Sequence, residues 1–511
     1  MKIVLCWCLL AATLAGAEQD EVTLLRWAGP PGSSPGTYEE WIAQHPYTTF
    51  SCDLDRVING DGRQGTVAIL TEQAIAASLA NQTNQLITNL QIEGYTVLSY
   101  EISGGTPETL RTFLQELYNT QNIGGALFIG DLPVAWFEIA DDFNEYDYAQ
   151  FPIDLFYMDL NGTWLDTMNA GNGKYDGHEG DINPEIYIGR LTTCNLGIDT
   201  VLLKNYLSKD NAYRYDTLFL SQRALIFVDD DWIPFADQWA REVSLLYPDT
   251  MNYWHPETTR ATVYRVKLDT VQAWVSLFAH SWPGGHQLVY NNGNSYEYYY
   301  SNEYNDQDPP ANFYNFFCCS FCCYTSGGYG GGWAIFNPSY GLGAIGSTKT
   351  GSMLEFYPFY RPLSLGKTLG EAFKEWFTYI TNNGVTFDEL CWHYGMTLLG
   401  DPWLKPVGHH LSVAETESNL IALSALTVMG NPVLTELNIK FTLIKSEDVK
   451  ISLYNCAGRK VANIIGKKFG KGNHHLRWPF NDENGNVLPR GVYILKSEID
   501  KKIITNKIVK I

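Results

Sequence analysis

The sequence predicts an α/β protein that ends in an all-β domain. Candidate strands and helices alternate between residues 65 and 406, whereas the last ninety or so residues contain only short strands separated by Gly, Asn and Asp turns. Alternation of this kind is typical of mainly parallel sheets whose faces are covered by helices. We therefore expect two α/β subdomains, 65–195 and 196–406, or two halves of one larger unit, followed by a sandwich at 421–511.

The first seventeen residues, MKIVLCWCLLAATLAGA, have the features of a secretory signal peptide. Lys2 precedes a short apolar core, and small residues close it at Ala15–Ala17. The run is too short to span a bilayer, and no later segment is long and apolar enough for an integral membrane segment. Residues 18–64 follow as an N-terminal segment or a short pro-region, and we expect an exported protein.

Composition excludes one class of partner and indicates free thiols. The chain has 511 residues and a formal net charge of −21, so nucleic acid would be repelled rather than bound. Four of the cysteines beyond the signal lie within the six-residue window 318–323. A cluster inside one apolar run is poorly suited to long-range cross-links, and we expect most of the thiols to be free.

The first α/β region begins with the strand TVAIL, and a helical pattern over 72–94 follows it. Next come the strand YTVLSYEIS, the helix PETLRTFLQELYN and the strand GGALFIGDLP. The last of these places Asp131 at the carboxyl end of a strand, which is the edge of an open α/β sheet where ligands bind.

An acidic stretch without helical periodicity begins at residue 151, inside the first region, and ends before the strand PEIYIGRL. Its oxygen-bearing side chains suit calcium, although a solvated acidic loop explains them equally well and the spacing differs from an EF-hand. The same alternatives apply to the run 229–231. Structural calcium is therefore an open expectation, the metal ligands are unknown, and the candidates are Asp159, Asn161, Asp166, Asp176, Glu179, Asp181 and Asp229–Asp231.

The second region repeats the alternation. Helices are expected in GIDTVLLKNYLSKDNAYR, ADQWAREVSLLY and GKTLGEAFKEWFTYITNNG, and strands in RALIFV, ATVYRV, AWVSLFAH, NFYNFFCC and YGLGAIGST. A linker is expected at 407–420. The short strands LNIKFTLI, VKISLYN, GVYILKSEI and KIITNKIVKI then indicate the terminal sandwich.

Two of the apolar runs each deliver one reactive side chain. AWVSLFAH ends on His280, and NFYNFFCC ends on Cys319. If the two strands are neighbours, imidazole and thiol meet at the sheet edge, and a neighbouring His lowers the thiol pKa and can protonate a leaving group. Two other interpretations stay open: buried cysteines as ordinary core residues, and zinc held by Cys319, Cys322 and Cys323 with His280 or His286.

The order of motifs from residue 65 to 405 resembles the gingipain-type cysteine peptidases, which are secreted bacterial enzymes with two caspase-like α/β subdomains and an immunoglobulin-like domain. The similar segments, in order, are FIGDLP, IDLFYMDLNG, PEIYIGRL, AHS, CCSFCCY, GLGAIGST, GKTLGEAF and LLGDPWLKP. The resemblance implies a secreted cysteine endopeptidase that acts through a Cys-His dyad and an acyl-enzyme. It needs no cofactor for its chemistry, and its partner is a protein or peptide substrate.

The resemblance also implies the site residues. His280 and Cys319 match the catalytic pair, with Ser281 where the family has Gly and Cys318 where it has Ala, and the N–H groups of Ser281 and Cys319 would hold the oxyanion. Tyr324 stands at the family's aromatic position, which favours Cys319 over its neighbours. Asp154 matches an acid involved in substrate recognition. His286 is a rival to His280, and a catalytically inactive secreted or surface binding protein is the alternative function.

The C-terminal segments LYNCAGRKV, GNHHLRW, NGNVLPRGVYIL and TNKIVKI resemble the immunoglobulin-like sorting domains of bacteria that use type IX secretion. This resemblance implies the type IX export machinery as a partner and an extracellular or cell-surface location.

Overall fold

The computed structural model describes residues 22–218, 220–382 and 384–408. In the C-terminal part it describes 423–429, 433, 435–443, 446–455, 458–470, 472–482, 485–499 and 502–510. The chain divides into two compact units at Val413 and Ala414. The expected signal peptide, the first residues of the expected pro-region and most of the expected linker lie outside the described residues.

The larger unit alternates strands and helices as the sequence predicts. Its helices are α1 (Tyr38–Gln44), α2 (Gln73–Glu93), α3 (Pro107–Gln121), α4 (Leu155–Met158), α5 (Asp199–Arg214), α6 (Ile233–Val243), α7 (Ala261–Leu268), α8 (Glu303–Gln307), α9 (Gly330–Phe336), α10 (Tyr357–Ser364), α11 (Leu369–Thr381) and α12 (Phe387–His393).

Eleven of its strands form one sheet. They are β1 (Ser51–Ile58), β2 (Thr66–Glu72), β3 (Thr96–Ser103), β4 (Ile123–Ile129), β9 (Tyr187–Leu191), β10 (Arg223–Val228), β11 (Asp249–Tyr253), β12 (Trp274–Phe278), β16 (Phe313–Phe317), β17 (Gly343–Ser347) and β18 (Met396–Gly400). The others form small hairpins: β5 (Trp136–Ile139) with β6 (Ala149–Pro152), β7 (Thr163–Leu165) with β8 (Gly177–Glu179), and β13 (His280–Trp282), β14 (Gly285–Tyr290) and β15 (Ser295–Tyr300).

The large sheet joins the two predicted halves of the α/β region. Its order is β1-β3-β2-β4-β9-β18-β17-β16-β12-β10-β11, and the halves meet where Leu399 of β18 pairs with Arg190 of β9. Pairing is parallel between β2, β3, β4 and β9, and again between β17, β16, β12, β10 and β11. Of the two arrangements the sequence allowed, two halves of one larger unit is therefore the one observed.

Helices cover both faces of the sheet, and alternate residues of each strand belong to one of two apolar cores. On one face Leu110 of α3, Trp239 of α6 and Phe373 of α11 pack against the strands; we call this the α3 face. On the other, which we call the α2 face, Leu79 of α2 and Leu203 of α5 do so. Phe317 and Cys319 belong to the α3 face. Phe316 and Cys318, which alternate with them along the chain, belong to the α2 face.

One secondary-structure prediction was wrong. ATVYRV is not a strand: it forms helix α7, whose buried residues Ala261, Tyr264 and Leu268 are three and four positions apart. That spacing is the helical period, and it outweighs the β-branched residues Thr262 and Val263, which favoured a strand.

The C-terminal unit is a sandwich, as predicted. Its strands are β19 (Leu423–Met429), β20 (Leu437–Leu443), β21 (Glu447–Asn455), β22 (Lys460–Phe469), β23 (Gly472–Trp478), β24 (Gly491–Ile499) and β25 (Lys502–Lys510). They form antiparallel sheets of three and four strands that share one apolar core, including Phe441, Ile451 and Leu495. This is the arrangement of an immunoglobulin-like domain.

Of the helices in the described part of the chain, none combines the length and apolar character that crossing a membrane requires.

Candidate active site

Strands β12 and β16 are parallel neighbours that end side by side. Phe278, the last residue of β12, pairs with Phe317, the last residue of β16, and the N–H of Ala279 donates to the Phe317 carbonyl over 3.2 Å. His280 and Cys319 each lie two residues further on. Since side chains alternate along a strand, both point to the same side as the paired phenylalanines, the α3 face. The expected meeting of the two strand ends is therefore present in the backbone.

The backbone turns sharply after His280 and again after Cys319. After His280 it forms the β13–β14 hairpin, in which Ser281 has an extended conformation that a non-glycine residue adopts without strain. After Cys319, Ser320 has a left-handed φ of 51°, which is uncommon for serine, and its N–H donates to the Lys349 carbonyl over 2.9 Å. Strained residues of this kind cluster at functional sites.

The Cys319 side chain is buried and lies near residues 349–351. Burial raises the pKa of its thiol to about 12, although Thr350, Lys349 and the backbone of Gly351 act to lower it. Lys349 itself is buried and forms an ion pair with Asp142 over 2.9 Å. In this conformation the thiol is protonated at neutral pH, and a thiolate would form beside the Lys349 cation.

The His280 ring is buried, and both of its nitrogens have partners. Nε2 lies 2.7 Å from Oδ2 of Asp231, and Nδ1 accepts the backbone N–H of Arg26 over 3.1 Å. Burial lowers the pKa of His280, and the hydrogen bond to Asp231 opposes that effect. The ring is therefore neutral near pH 7, with its proton on Nε2 facing the carboxylate and Nδ1 as the basic nitrogen.

The three consecutive aspartates after β10 have three different roles. Asp229 is buried and accepts the N–H groups of Asp231 and Val289. Asp230 accepts the Thr259 hydroxyl over 2.8 Å. Asp231 orients the imidazole, and the hydrogen bond from His280 lowers the pKa of its carboxyl. The sequence indicated these residues only as calcium candidates and did not identify the group that orients the ring.

An N-terminal segment, residues 23–28, lies against the end of β12 and strand β13. The N–H of Ala28 donates to the Ser281 carbonyl over 3.0 Å, and Trp27 forms a parallel β-bridge with Ser281. Burial raises the pKa of Tyr146 to about 12, and this hydroxyl lies close enough to the Cys319 sulfur and the Arg26 guanidinium for both to affect that pKa. The segment therefore covers His280, and among the described residues no hydrogen bond joins the His280 ring to the Cys319 thiol.

A cleft of about 610 Å³ opens beside this segment at the edge of the sheet. Its walls come from several loops that follow strands, and they include Trp27, Asp131, Cys194, Trp282 and Thr325. Asp131, which the sequence placed at a ligand-binding edge, is therefore part of the cleft. The cleft offers both carboxylate and indole surfaces.

The rival histidine, His286, lies on the opposite side of the strand ends. Its Nδ1 is 3.1 Å from the Ser281 hydroxyl and 3.7 Å from the sulfur of Cys318, and its Nε2 is 3.2 Å from the Tyr304 hydroxyl. The ring is fully buried against Phe321, with the ring centroids 3.8 Å apart, and burial lowers its pKa well below the usual value. His286 thus pairs with Cys318 on the α2 face.

Asp154 contacts Tyr324, and both side chains are buried inside the protein. Its carboxylate forms an ion pair with buried Arg190 over 2.5 Å and accepts the hydroxyls of Tyr324 at 3.0 Å and Thr397 at 2.6 Å. The Arg190 guanidinium stacks 4.4 Å from the centre of the Tyr324 ring. A role for Asp154 in substrate recognition stays a prediction, since Arg190 satisfies its charge in this structure.

The zinc interpretation does not fit the structure. Cys319 belongs to the α3 face and Cys322 to the α2 face, so the two thiols of the C-x-x-C pair point to opposite sides. Across the described ranges, no three His, Cys, Asp or Glu side chains are grouped as a metal site requires. The seven cysteines that the structure describes are all free.

Two of the calcium candidates, Asp159 and Asp176, already accept hydrogen bonds from their surroundings. Asp159 accepts the N–H groups of Asn161 and Gly162 and contacts His178, while Asp176 accepts the N–H and hydroxyl of Thr167. Because these oxygens already serve the loop, they fit an ion poorly. Structural calcium stays a prediction, and no step of the chemistry below depends on it.

Comparison with protein-family models assigns the large unit. The model for peptidase family C25 matches residues 66–407. The chain belongs to peptidase family C25. It is therefore a cysteine-type peptidase, as the resemblance of its motifs implied, and the matched range spans both halves of the large sheet.

Two solved structures are similar to this chain. Gingipain R (RGPB), described as an Arg-specific cysteine proteinase, is 12% identical, with a TM-score of 0.49 over 89% of this chain and 100% of that one. The complex of Porphyromonas gingivalis RgpB pro- and mature domains is 12% identical, with a TM-score of 0.47 over 88% and 100%. No curated protein sequence matches the chain.

The C-terminal unit matches a secretion-system C-terminal sorting domain over residues 427–511. The protein is therefore secreted or held at the cell surface, as predicted. Recognition by the type IX export machinery is consistent with such a domain.

Proposed function

We propose that the protein is a secreted cysteine endopeptidase in which Cys319 is the nucleophile and His280 is the general base and acid. The observation that carries this proposal is the register of β12 and β16, which brings positions 280 and 319 to the ends of adjacent parallel strands on one face of the sheet. Membership of family C25 supports the same chemistry.

The geometry supports a specific division of labour between the two imidazole nitrogens. Asp231 holds Nε2, so Nδ1 takes the thiol proton as the sulfur of Cys319 attacks the peptide carbonyl carbon. The N–H groups of Ser281 and Cys319 are the candidate donors to the oxyanion. The tetrahedral intermediate collapses, Nδ1–H protonates the departing amine, and a thioester remains on Cys319. Water activated by the same nitrogen then hydrolyses the thioester and regenerates the thiol.

The raised pKa of Cys319 belongs to a covered site. With residues 23–28 in place, the thiol is buried and protonated. Removing that cover admits water and substrate, which reduces the burial effect that dominates the shift. Lys349 then remains as a cation that favours the thiolate.

The alternative function, a catalytically inactive secreted or surface binding protein, is favoured by one observation: the thiol is sealed in this structure. The test is a peptide library in which the residues on both sides of the scissile bond vary, incubated with the full chain and with its Arg26→Glu variant. We expect cleavage, and acid quenching should trap a thioester that fragment spectra of peptic peptides locate on Cys319. No cleavage by either protein, or an acyl group on another residue, would contradict the proposal.

A further inference from the structure

Two loops that each carry a cysteine pack against each other beside the cleft. Cys194 lies on the loop after β9, and Cys323 lies on the turn after β16. The Tyr329 hydroxyl, a few residues beyond that turn, donates to the Thr192 carbonyl over 2.7 Å and so joins the two loops. Cys194 and residues 325–327 line the same cleft. The two loops together therefore form part of one cleft wall.

The two sulfur atoms lie close enough to affect each other. Burial raises the pKa of the Cys194 thiol to about 12, and the neighbouring Cys323 sulfur acts in the same direction. The Cys323 sulfur lies 3.4 Å from the hydroxyls of both Thr325 and Ser326. Because these two residues line the cleft, the Cys323 thiol lies directly behind the wall that Cys194 helps to form.

The surroundings of the two cysteines differ in how easily a reagent reaches them. Cys194 is half-buried, lines the cleft and has a left-handed φ of 31°, which is uncommon for a residue other than glycine. Cys323 is buried. A small molecule that enters the cleft therefore reaches Cys194 first.

Cys322, the neighbour of Cys323, is a poorer partner for Cys194. A Cβ at Gly331 or at Gly346 would lie 2.6 or 2.7 Å from the Cys322 sulfur, so the backbone packs directly against that sulfur. Cys322 also belongs to the apolar core of the α2 face. Its side chain has no room to turn toward the cleft, whereas Cys323 has hydroxyl neighbours that line the cleft.

We propose that Cys194 and Cys323 are a modification site, at which a small organic disulfide oxidises the two thiols to an internal disulfide bond. The Cys194 thiolate attacks the reagent, which gives a mixed disulfide and releases one reagent thiolate. The Cys323 thiolate then attacks the Cys194 sulfur, forms the Cys194–Cys323 bond and releases the second reagent thiolate. The two protons of the protein thiols pass to the two released thiolates, and the two electrons pass to the reagent.

The bond would change the cleft reversibly in a secreted protein, for which oxidising surroundings are usual. Cys323 would exchange its contacts with Thr325 and Ser326 for a covalent link to the loop after β9. The turn after β16, which also carries Cys319, would then be tied to that loop. The inference does not depend on Cys319 being a nucleophile.

Peptide mapping without reduction tests the site. The protein is the full chain carrying Cys319→Ala, the reagent is glutathione disulfide, and iodoacetamide blocks the remaining thiols before digestion with trypsin. We expect tryptic peptide 191–204 to be linked to peptide 268–349, and dithiothreitol to separate them. The oxidised protein should melt about 5 °C higher than the reduced protein, because the bond joins segments that are distant in the chain.

Three further variants locate the bond. Cys194→Ala and Cys323→Ala should each abolish the link between the two peptides and the rise in melting temperature. Cys322→Ala is the matched control, since it removes the same group one residue away and should leave both results unchanged. Circular dichroism melts of the reduced proteins verify that each variant is folded.

Two results would overturn the inference: no link between the two peptides in the folded, oxidised protein, or a link that persists with Cys323→Ala. Neither result bears on the proposed function, because peptide cleavage is measured on a chain that retains Cys319.

Discussion

The molecule contains two cysteine–histidine pairs at the same strand ends, one on each face of the sheet, and their surroundings differ. Cys318 and His286 are in direct contact, at 3.7 Å, but aromatic rings enclose them on the α2 face. Cys319 and His280 lie at the ends of adjacent strands on the α3 face, and residues 23–28 cover His280. The pair in direct contact is thus the one that aromatic rings enclose.

What distinguishes the second pair is an orienting acid. Asp231 fixes the His280 tautomer and opposes the loss of its proton, whereas His286 contacts two neutral hydroxyls, those of Ser281 and Tyr304, and the Cys318 thiol. Burial alone acts on the pKa of His286. A ring with no carboxylate partner and no route to solvent serves the core rather than chemistry.

The largest difference is expected between the two cysteines. Replacing Cys319 by Ala should lower kcat/KM by about 10³-fold or more, the scale on which removal of a nucleophile acts. Cys318→Ala removes a similar side chain one residue away and should leave kcat/KM within a few-fold. Peptide hydrolysis is measured in the Arg26→Glu background, in which a second negative charge beside Asp231 loosens residues 23–28. Loss of activity with Cys318→Ala in a folded protein would reverse the assignment.

Replacing His280 should lower activity, whereas replacing His286 should lower stability. His280→Asn should lower kcat by roughly 10²–10⁴-fold, as expected for a general base. His286→Asn leaves the buried hydroxyls of Ser281 and Tyr304 with altered partners and should reduce the free energy of unfolding by about 1–3 kcal/mol. Urea denaturation and peptide hydrolysis on both variants give the comparison. An inactive but fully stable His286→Asn protein is the result that this view excludes.

Asp231→Asn should have an intermediate effect, of about 10–100-fold on kcat, as is typical for a group that orients a functional histidine. Since Asp231 raises the pKa of His280, its loss should move the acidic limb of the pH–kcat/KM profile to lower pH. The substrate used should lack basic residues, so that removal of the Asp231 carboxylate does not change the binding of the substrate. Asp230→Asn is the control, because that neighbour bonds Thr259 and not the ring; equal effects of the two changes would disprove the orienting role.

The smallest effect concerns thiol reactivity. In the wild type near pH 8 both buried thiols should react slowly with iodoacetamide, because burial raises the pKa of Cys319 to about 12 and that of Cys318 further. Exposed Cys52 is an internal reference for labelling. Arg26→Glu should speed labelling of Cys319 by roughly tenfold through greater thiolate formation, and leave Cys318 unchanged. Trypsin leaves both thiols in one peptide, 268–349, so fragment spectra of that peptide read each site. Equal acceleration at both thiols would point to general unfolding.

Local patterns were sufficient for most elements but misleading for α7. Apolar runs ending on His280 and Cys319 identified β12 and β16, because a fully buried parallel strand is a short continuous apolar run. ATVYRV has the composition of such a run, yet only its Ala261 and Tyr264 are fully buried. Which side of a short segment is buried depends on the sheet beneath it.

Only part of the candidate site could be predicted from the sequence. The reactive pair could be named from the strand ends and motif order, whereas Asp231 and Arg26 could not, since they are 49 and 254 residues away from His280 in the chain. The run of three aspartates carried no signal of which member would meet the ring. Likewise Asp154 matched a substrate-binding position, but its neutralisation by Arg190 appears only in three dimensions.

By itself the amino-acid sequence determined the class of fold, the exported character, the sorting domain and the two residues proposed for catalysis. These follow from periodicity, composition and local motifs, which act over short stretches of chain. Only the tertiary structure decided that both halves form one sheet, that Cys318 and Cys319 face opposite cores, and that residues 23–28 cover the site. Those features depend on contacts between distant segments, whose geometry is set by packing of the whole domain rather than by any local pattern.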